Sequence, residues 1–337
     1  MKTILSGYRI LDLTDEKGML CSRLLADMGA DVIMIERPGK PHLSRQSARF
    51  RFPNAGKRSI VLDPGEPSGR ENFENLISQT DVLVESESPG YLDGLGFGYG
   101  DLSKINPKLI VASITGFGQN GPYRDYKVSD LVASALGGSM YVSGEPDSPP
   151  LKLFGEQAYN TACLFAANGI MLALMARPAS GKGQRLDISI MECVAATLDH
   201  VLPRRFYGGE VARRQGSLYW NCAFRVLPCR DGYIVLTLLH QWDTLVEWLD
   251  SEGMAADLTD EQWKNRDVCL ENIDHIIEVL GKWALSHTAA ELVEKGQLMR
   301  FPWAKVNTIP ELMASPQVAG QSPCLTTLSM GCPDLYE

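Results

Sequence analysis

The 337-residue sequence lacks the patterns that mark several common classes of protein. Its eight cysteines include no C-x-x-C pair, so a structural zinc site is not expected and reduced thiols serving as small apolar residues are favoured. No window approaches eighteen uncharged apolar residues, and the longest candidate, residues 162–176, is typical of a buried helix. The apolar stretch after Lys2 is too short for a signal peptide. These absences predict a cytoplasmic protein with no metal site and no membrane partner.

Basic charge is also scarce, with 32 Lys and Arg against 41 Asp and Glu and a net charge of −9. A general nucleic-acid binder depends on cations that neutralise phosphates, so nucleic acid is not an expected partner. No Ser-His-Asp or Cys-His arrangement stands out among the five histidines.

A dinucleotide motif is missing from the first strand-to-helix turn. An apolar run at 10–13 predicts a strand, 19–28 has helical spacing, and 32–35 predicts a second strand, so the three form a βαβ unit. The turn at 14–18 reads TDEKG, with one glycine and two carboxylates instead of G-x-G-x-x-G. Carboxylates repel a pyrophosphate, which argues against NAD or FAD at this turn.

The same strand and helix alternation continues further along the chain. Apolar runs at 60–62, 81–85 and 109–114 predict more strands, and an open, mostly parallel α/β sheet with helices on both faces follows. Residues 41–56 and 88–99 are predicted to be loops, and 177–183 a break after a long helix. From residue 222 the pattern changes to a hairpin about 229–231 and tryptophan-bearing helices, which predicts a smaller α+β module over 222–299.

Three places are candidates for a site. The first is the glycine-rich loop at 88–99, because α/β proteins place ligands at loops that follow a strand. The loop after the strand at 109–114 contains Gly116 and Gly118, whose open backbone amides at a strand end favour ligand binding. Glu156 lies just ahead of the long helix. A carboxylate at a helix start is favoured by the dipole alone, and the functional alternative is a nucleophile or base.

Several segments, taken in order, resemble one known family. They are LDLT at 11–14, LLADMGADVIMIERPG at 24–39, GKRSIVLD at 56–63, NPKLIVASITGFGQNGPY at 106–123, SGKGQRLDISIMEC at 180–193 and RDGYIVLTLLHQW at 230–242. Together they resemble the family III CoA-transferases, the CaiB/BaiF group, continuously from residue 5 to about 250.

The resemblance implies an architecture. Family members have a Rossmann-like large domain to which the chain returns at its C-terminal end, a smaller domain, and two open rings threaded through each other in an obligate dimer. On that basis residues 1–200 and 300–337 form the large domain, 201–221 a linker and 222–299 the small domain. Coenzyme A or acyl-CoA is the implied substrate, carboxylic acids are the other small-molecule partners, and no tightly bound cofactor is expected.

The resemblance also implies site residues. The family's aspartate attacks the acyl-CoA thioester from the start of the long helix, and counting back from Leu164 its place falls on Tyr159. Neither Tyr159 nor Asn160 can form an anhydride, and Glu156 would need a shifted helix start to serve. On the CoA side, the chain retains Arg37, which in the family lies against the adenine end.

At the other positions on the family's CoA side, this chain keeps some of the expected residues and replaces others. Lys57, Arg58 and Leu62 are retained, whereas the arginine expected before Leu95 is replaced by Gly94. Fewer basic groups should weaken the binding of an anionic nucleotide.

Three hypotheses remain open. The chain is a transferase subunit that lacks its own nucleophile and pairs with a catalytic paralogue. Alternatively it is an active acyl-CoA enzyme of altered chemistry, of the isomerase, racemase or lyase type, using Glu156 or no covalent step. The third possibility is a non-catalytic homodimeric binding protein.

Overall fold

The computed structural model describes residues 3–39, 44–219 and 224–321, and they divide into two compact units. Among these residues, the first unit takes the chain up to Ser143 and again from Pro150 to Ala212. The second takes Gly144–Pro149 and the chain from Arg213 onwards. The domain boundaries drawn from the sequence stay a prediction, and residues 322–337 of the predicted C-terminal return over 300–337 lie outside the described residues.

The first unit is built on a six-stranded parallel sheet in the order β3-β2-β1-β4-β5-β6. Its strands are β1 (Arg9–Leu13), β2 (Asp31–Glu36), β3 (Arg58–Val61), β4 (Val82–Glu85), β5 (Ile110–Thr115) and β6 (Arg185–Ser189). Its helices are α1 (Met19–Asp27), α2 (Ala48–Asn54), α3 (Pro67–Ser78), α4 (Tyr91–Gly94), α5 (Tyr99–Ile105), α6 (Asp130–Leu136), α7 (Gln157–Ser180), α8 (Ile190–Ala196) and α9 (Val201–Gly208), with a 3-10 turn at Met140–Val142.

Both faces of this sheet are covered by helices. Along β1, Ile10 joins a core with Leu25 of α1 and Ile170 of α7. The next residue, Leu11, points to the opposite face, where it joins a core with Phe73 of α3. Because successive strand residues alternate faces, near-continuous apolar strands are what a sheet buried on both sides requires. The Rossmann-like α/β prediction is confirmed.

The second unit contains a four-stranded antiparallel sheet in the order β10-β9-β8-β7. Its strands are β7 (Leu218–Tyr219), β8 (Phe224–Cys229), β9 (Gly232–Thr237) and β10 (Ala304–Lys305). Its helices are α10 (Trp242–Ser251), α11 (Arg266–Glu271), α12 (Ile273–Leu285), α13 (Ala289–Leu298), α14 (Ile309–Met313) and α15 (Pro316–Gln321), with a 3-10 turn at Glu261–Lys264. The predicted hairpin is confirmed from Phe224 onwards, whereas Ala223 lies outside the described residues.

Three sequence-based predictions of irregular structure are wrong. The stretch 41–56 contains α2, which begins where the Ser47 hydroxyl accepts a hydrogen bond from the Phe50 backbone N–H at 3.2 Å. The stretch 88–99 contains α4 and the first residue of α5. Helix α7 continues through Pro178 to Ser180, and its C-cap residue Gly181 has a φ of +68°, which glycine readily adopts. A proline in the last turn removes one backbone donor, which a helix end tolerates.

Helix α7 has the length and apolar composition of a membrane span. It is the one helix with this property in the described part of the chain, and 39% of its most apolar 18-residue stretch is buried. One side of it contributes Ala162, Ala166 and Ile170 to the sheet core. Its exposed side includes Leu172 and Met175. A half-buried apolar helix of this kind is typical of a core helix in a soluble-type α/β fold.

Candidate active site at the start of α7

The first turn of α7 is held by a buried ion pair. The Tyr159 backbone N–H donates to Asp130 Oδ1 at 3.1 Å, and the other Asp130 oxygen lies 2.8 Å from Lys152 Nζ. The first turn of a helix has N–H groups without helical partners, so a carboxylate from α6 satisfies one of them. Lys152 balances the charge of a carboxylate whose residue is only 7% exposed. Asp130 and Lys152 therefore fix where α7 begins.

Tyr159, the position at which the resemblance places an aspartate, packs into the sheet core and is 4% exposed. Burial, and then the charges of Glu16, Asp15 and Asp130, raise the pKa of Tyr159 to about 12. A phenol is protonated at neutral pH even at the usual pKa of 10, and the raised pKa moves its ionisation still further from neutral pH. It offers neither the ionised carboxylate nor the exposure that a nucleophile needs.

Glu156 and Asn160 face a different environment from Tyr159, because both line a cavity of about 370 Å³. Arg49 of α2 forms an ion pair with Glu156 and lies 3.7 Å from a carboxylate oxygen of Glu16. The structure thus brings Glu156 and Asn160 together with a cation, and directs Tyr159 away into the core. Glu156 is the N-cap residue, immediately before α7 begins at Gln157.

Arg37 lines a second cavity, of about 320 Å³, at the carboxyl ends of β1, β2 and β4. The strand order reverses between β1 and β4, and the crevice outside such a switch point is where open α/β sheets bind ligands. The Arg37 guanidinium forms an ion pair with Glu87 and lies 4.6 Å from the centre of the Tyr91 ring. These two contacts hold the guanidinium at the cavity wall.

Lys57, Arg58 and Leu62, the other predicted CoA-side residues, lie outside the two cavities. Lys57 Nζ donates to Asp12 Oδ2 at 2.7 Å, and to Met19 O and Asn54 Oδ1 at 2.8 Å, which uses all three ammonium protons. Arg58 pairs with Asp31 on the sheet surface.

Leu62 packs into the same core as Phe73. Contacts within the chain thus account for all three of these side chains.

The predicted glycine loop follows β5. Gly116 is packed so closely that an added Cβ would lie 2.6 Å from Val128 Cβ, and Gly118 has a φ of +83°. The next backbone N–H, that of Gln119, donates to both carboxylate oxygens of Asp187 at 3.1 and 3.0 Å. At these positions glycine is required by packing and backbone conformation.

Two polar groups, one in the Glu156 cavity and one at the end of β4, were not found from the sequence. Arg49 was missed because its segment was predicted to be a loop, although Ser47 is a recognisable helix N-cap. Glu85 ends β4 and is 5% exposed. Burial raises the pKa of Glu85 to about 7 in spite of hydrogen bonds from Ser113 and the Glu87 backbone N–H. The signal for Glu85 in the sequence was a carboxylate at the end of an apolar strand.

Among the described residues, no three His, Cys, Asp or Glu side chains come together as metal ligands. The five described cysteines are buried and unpaired with one another, whereas Cys222, Cys324 and Cys332 lie outside the described residues. Burial raises the pKa of the Cys163 thiol to about 12, so the thiol stays protonated.

Comparison with known proteins identifies the family. The sequence profile of CoA-transferase family III matches residues 5–327. The chain is 34% identical over 335 residues to succinyl-CoA:(R)-benzylsuccinate CoA-transferase subunit BbsE of Thauera aromatica, covering 93% of this chain and 81% of that protein. It is 30% identical over 328 residues to the succinyl-CoA–L-malate CoA-transferase beta subunit of Chloroflexus aurantiacus, with coverage of 93% and 81%.

A solved structure agrees. The crystal structure of a CaiB/BaiF family protein from Brucella suis superposes with a TM-score of 0.84 and 28% identity, covering 96% of this chain and 89% of that one. Family III homologues act on acyl-CoA thioesters and acids, as the names of these relatives state. A full-length profile match, curated relatives and a shared fold all agree, and the chain belongs to CoA-transferase family III, the CaiB/BaiF group.

Proposed function

We propose that this chain is a CoA-transferase subunit that lacks a nucleophile of its own and pairs with a paralogous subunit that carries the aspartate. The observation that carries the proposal is the environment of Tyr159. The position where the family resemblance places a carboxylate holds a buried phenol, and burial with neighbouring carboxylates raises its pKa to about 12.

The reaction expected of the family needs an ionised carboxylate. That group attacks the thioester carbonyl and expels the CoA thiolate, which gives a mixed anhydride. The thiolate then attacks the enzyme's own carbonyl of this anhydride, which releases the donor acid as a carboxylate and leaves an enzyme–CoA thioester. A protonated phenol cannot start this sequence. Glu156, three residues ahead of Tyr159, is ion-paired with Arg49, which neutralises the charge that an attack would use.

CoA binding is proposed for the Arg37 cavity. Arg37 is pre-positioned by Glu87 and Tyr91, so little side-chain freedom is lost when an adenine group packs beside it. Lys57 and Arg58 are proposed to stabilise the sheet instead of binding CoA, because Lys57 pairs with Asp12 and Arg58 pairs with Asp31. We place Gly116 and Gly118 in a framework role, because Gly116 packs against Val128 and their loop is held by Asp187.

Pairing with a second subunit has two supports. Two relatives are named as subunits of CoA-transferases. The exposed side of α7 carries Leu164, Phe165, Leu172 and Met175, which are 46–74% exposed and form the kind of apolar surface that obligate partners cover. The dimer is proposed as interlocked and cytoplasmic, with a paralogue or a second copy as partner.

The test is to purify the chain alone and co-expressed with a family member that has the aspartate, and to measure native mass and CoA transfer from succinyl-CoA to acid acceptors. We expect a one-to-one complex that transfers CoA, and no transfer by this chain alone. Changing the partner's aspartate to asparagine should abolish transfer. Tyr159→Phe in this chain should change the rate of CoA transfer by less than about threefold, because the proposal gives the phenol no chemical step.

The alternatives predict different results. If the chain alone turns over and hydroxylamine traps an acyl group on Glu156, it is an active enzyme of altered chemistry and the subunit proposal fails. A stable homodimer that binds CoA but gives no turnover with any partner makes it a binding protein. The position of Glu156 in a cavity with Asn160 is the observation that favours the first alternative.

A further inference from the structure

The cavity beside Arg49 combines one cation with an apolar wall. Its lining includes Met19 and Leu20 of α1 and Phe52 of α2, together with the polar groups of Arg49, Glu156 and Asn160. Its volume of about 370 Å³ lies in the lower range of small-ligand sites. A guanidinium at the edge of an apolar pocket is suited to a ligand that has a carboxylate at one end and an apolar group at the other.

That guanidinium is already occupied by the chain itself. Arg49 is paired with Glu156, and the Glu16 carboxylate is 3.7 Å away. Two carboxylates around one cation leave a net negative charge, which repels an ionised acid. The Glu156 carboxylate thus occupies the place at Arg49 that a ligand carboxylate would take.

The contact between Arg49 and Glu156 is of a kind that a ligand can replace. The Arg49 side chain is 57% exposed and that of Glu156 is 32% exposed. Ion pairs with this exposure contribute little net stability because water competes for both groups. An incoming acid that also buries an apolar group gains hydrophobic free energy that Glu156 does not.

We propose that the Arg49 cavity binds monocarboxylic acids with an apolar substituent and that Glu156 competes with them for Arg49. The inference deepens the proposed function, since the acid would be a transfer substrate of the assembled enzyme, and rests on it for that assignment alone. Glu156 then acts as a gate on acid binding and takes no covalent step.

The experiment is calorimetric titration of 3-phenylpropionate, at low salt, into the full-length protein in the assembly in which it purifies. Glu156→Gln removes the competing charge and should tighten binding at least tenfold over the unchanged chain. Arg49→Gln should weaken binding at least tenfold, and the double variant should bind no better than Arg49→Gln. The neutral amide 3-phenylpropanamide should bind with less than a threefold difference across the series.

Arg51→Gln is the matched control, because Arg51 lies on the exposed surface of the same helix and does not line the cavity. It should leave binding within twofold. Equal affinity of Glu156→Gln and the unchanged chain, or no loss in Arg49→Gln, overturns the proposal. The assay needs neither CoA nor turnover, so absence of transfer in the co-expressed complex would defeat the proposed function while these affinities still decide the acid site.

Discussion

The two ends of α2 carry ion pairs of the same chemistry in opposite environments. At its C-terminal end, Asn54 accepts a hydrogen bond from Lys57, which lies three residues beyond the helix and pairs with Asp12. The side chains of Lys57 and Asp12 are 1% and 0% exposed. At its N-terminal end Arg49 pairs with Glu156, whose side chains are 57% and 32% exposed. Burial therefore decides which pair belongs to the framework and which one remains open to exchange.

The buried pair is part of a closed network. Asp12 accepts hydrogen bonds from the Thr14 hydroxyl at 2.6 Å and the Ser22 hydroxyl at 2.5 Å in addition to Lys57. A buried charge is tolerated when its partners satisfy it, and removing one partner then costs far more than the pair contributes. The exposed pair has water as an alternative partner, which makes its loss inexpensive.

Lys57→Met should produce the largest effect. The change keeps the length of the side chain and leaves Asp12 as a buried charge without its cation. We expect the free energy of unfolding to fall by about 3–5 kcal/mol. Urea denaturation monitored by far-UV circular dichroism measures it, because the helices of the first unit contribute to that signal.

Arg58→Met is the control for Lys57, one residue further along and paired with Asp31 at 64% and 37% side-chain exposure. Its cost should stay below about 1 kcal/mol. Equal costs for the two variants would contradict the role that burial plays in the comparison.

Glu85 supplies the next largest effect, through pH. Burial raises its pKa from the usual 4.5 to about 7. Between these values the folded state holds the proton more tightly than the unfolded state. The free energy of unfolding should therefore fall as pH rises from about 5 to 7 and then level off, a loss on the order of 3 kcal/mol from this group.

Glu85→Gln keeps the neutral shape at every pH, so the difference between the variant and the unchanged protein isolates this group. Urea midpoints at pH 5, 6, 7 and 8 should show the two proteins close together at pH 5 and the variant more stable at pH 8. Parallel profiles of unfolding free energy against pH would mean that the pKa of Glu85 is the same in the folded and the unfolded state.

The sequence predicted the parallel sheet because the strands β1, β2 and β5 are nearly continuous apolar runs, which only a doubly covered sheet can bury. Helix α2 was missed because its segment is polar and contains Pro53. The position of Tyr159 at the start of α7 could be counted from the resemblance. Its burial and the rise of its pKa to about 12 could not, because they depend on packing and on the charges of Glu16, Asp15 and Asp130, which are distant in sequence.

Asn54→Ala should have an intermediate effect. Asn54 is 9% exposed, donates to Phe50 O at 2.9 Å and accepts from Lys57 at 2.8 Å, so the change leaves a buried ammonium with one acceptor fewer. We expect a loss of about 2 kcal/mol in the free energy of unfolding. Gln46→Ala, at an exposed position before α2, is the matched control, with an expected change below about 0.5 kcal/mol. A loss no larger than that of the control would remove Asn54 from the framework.

Arg49→Gln should have the smallest effect on stability, although it should have a large one on acid binding. A cation in the first turn of a helix opposes the helix dipole, so losing the exposed pair with Glu156 is partly offset, and we expect a change below about 1 kcal/mol. A double-mutant cycle with Glu156→Gln, measured by urea denaturation, should give a coupling energy of similar size. A coupling above about 2 kcal/mol would make this pair part of the framework like Lys57 and Asp12, and a ligand carboxylate could then no longer displace Glu156 at low cost.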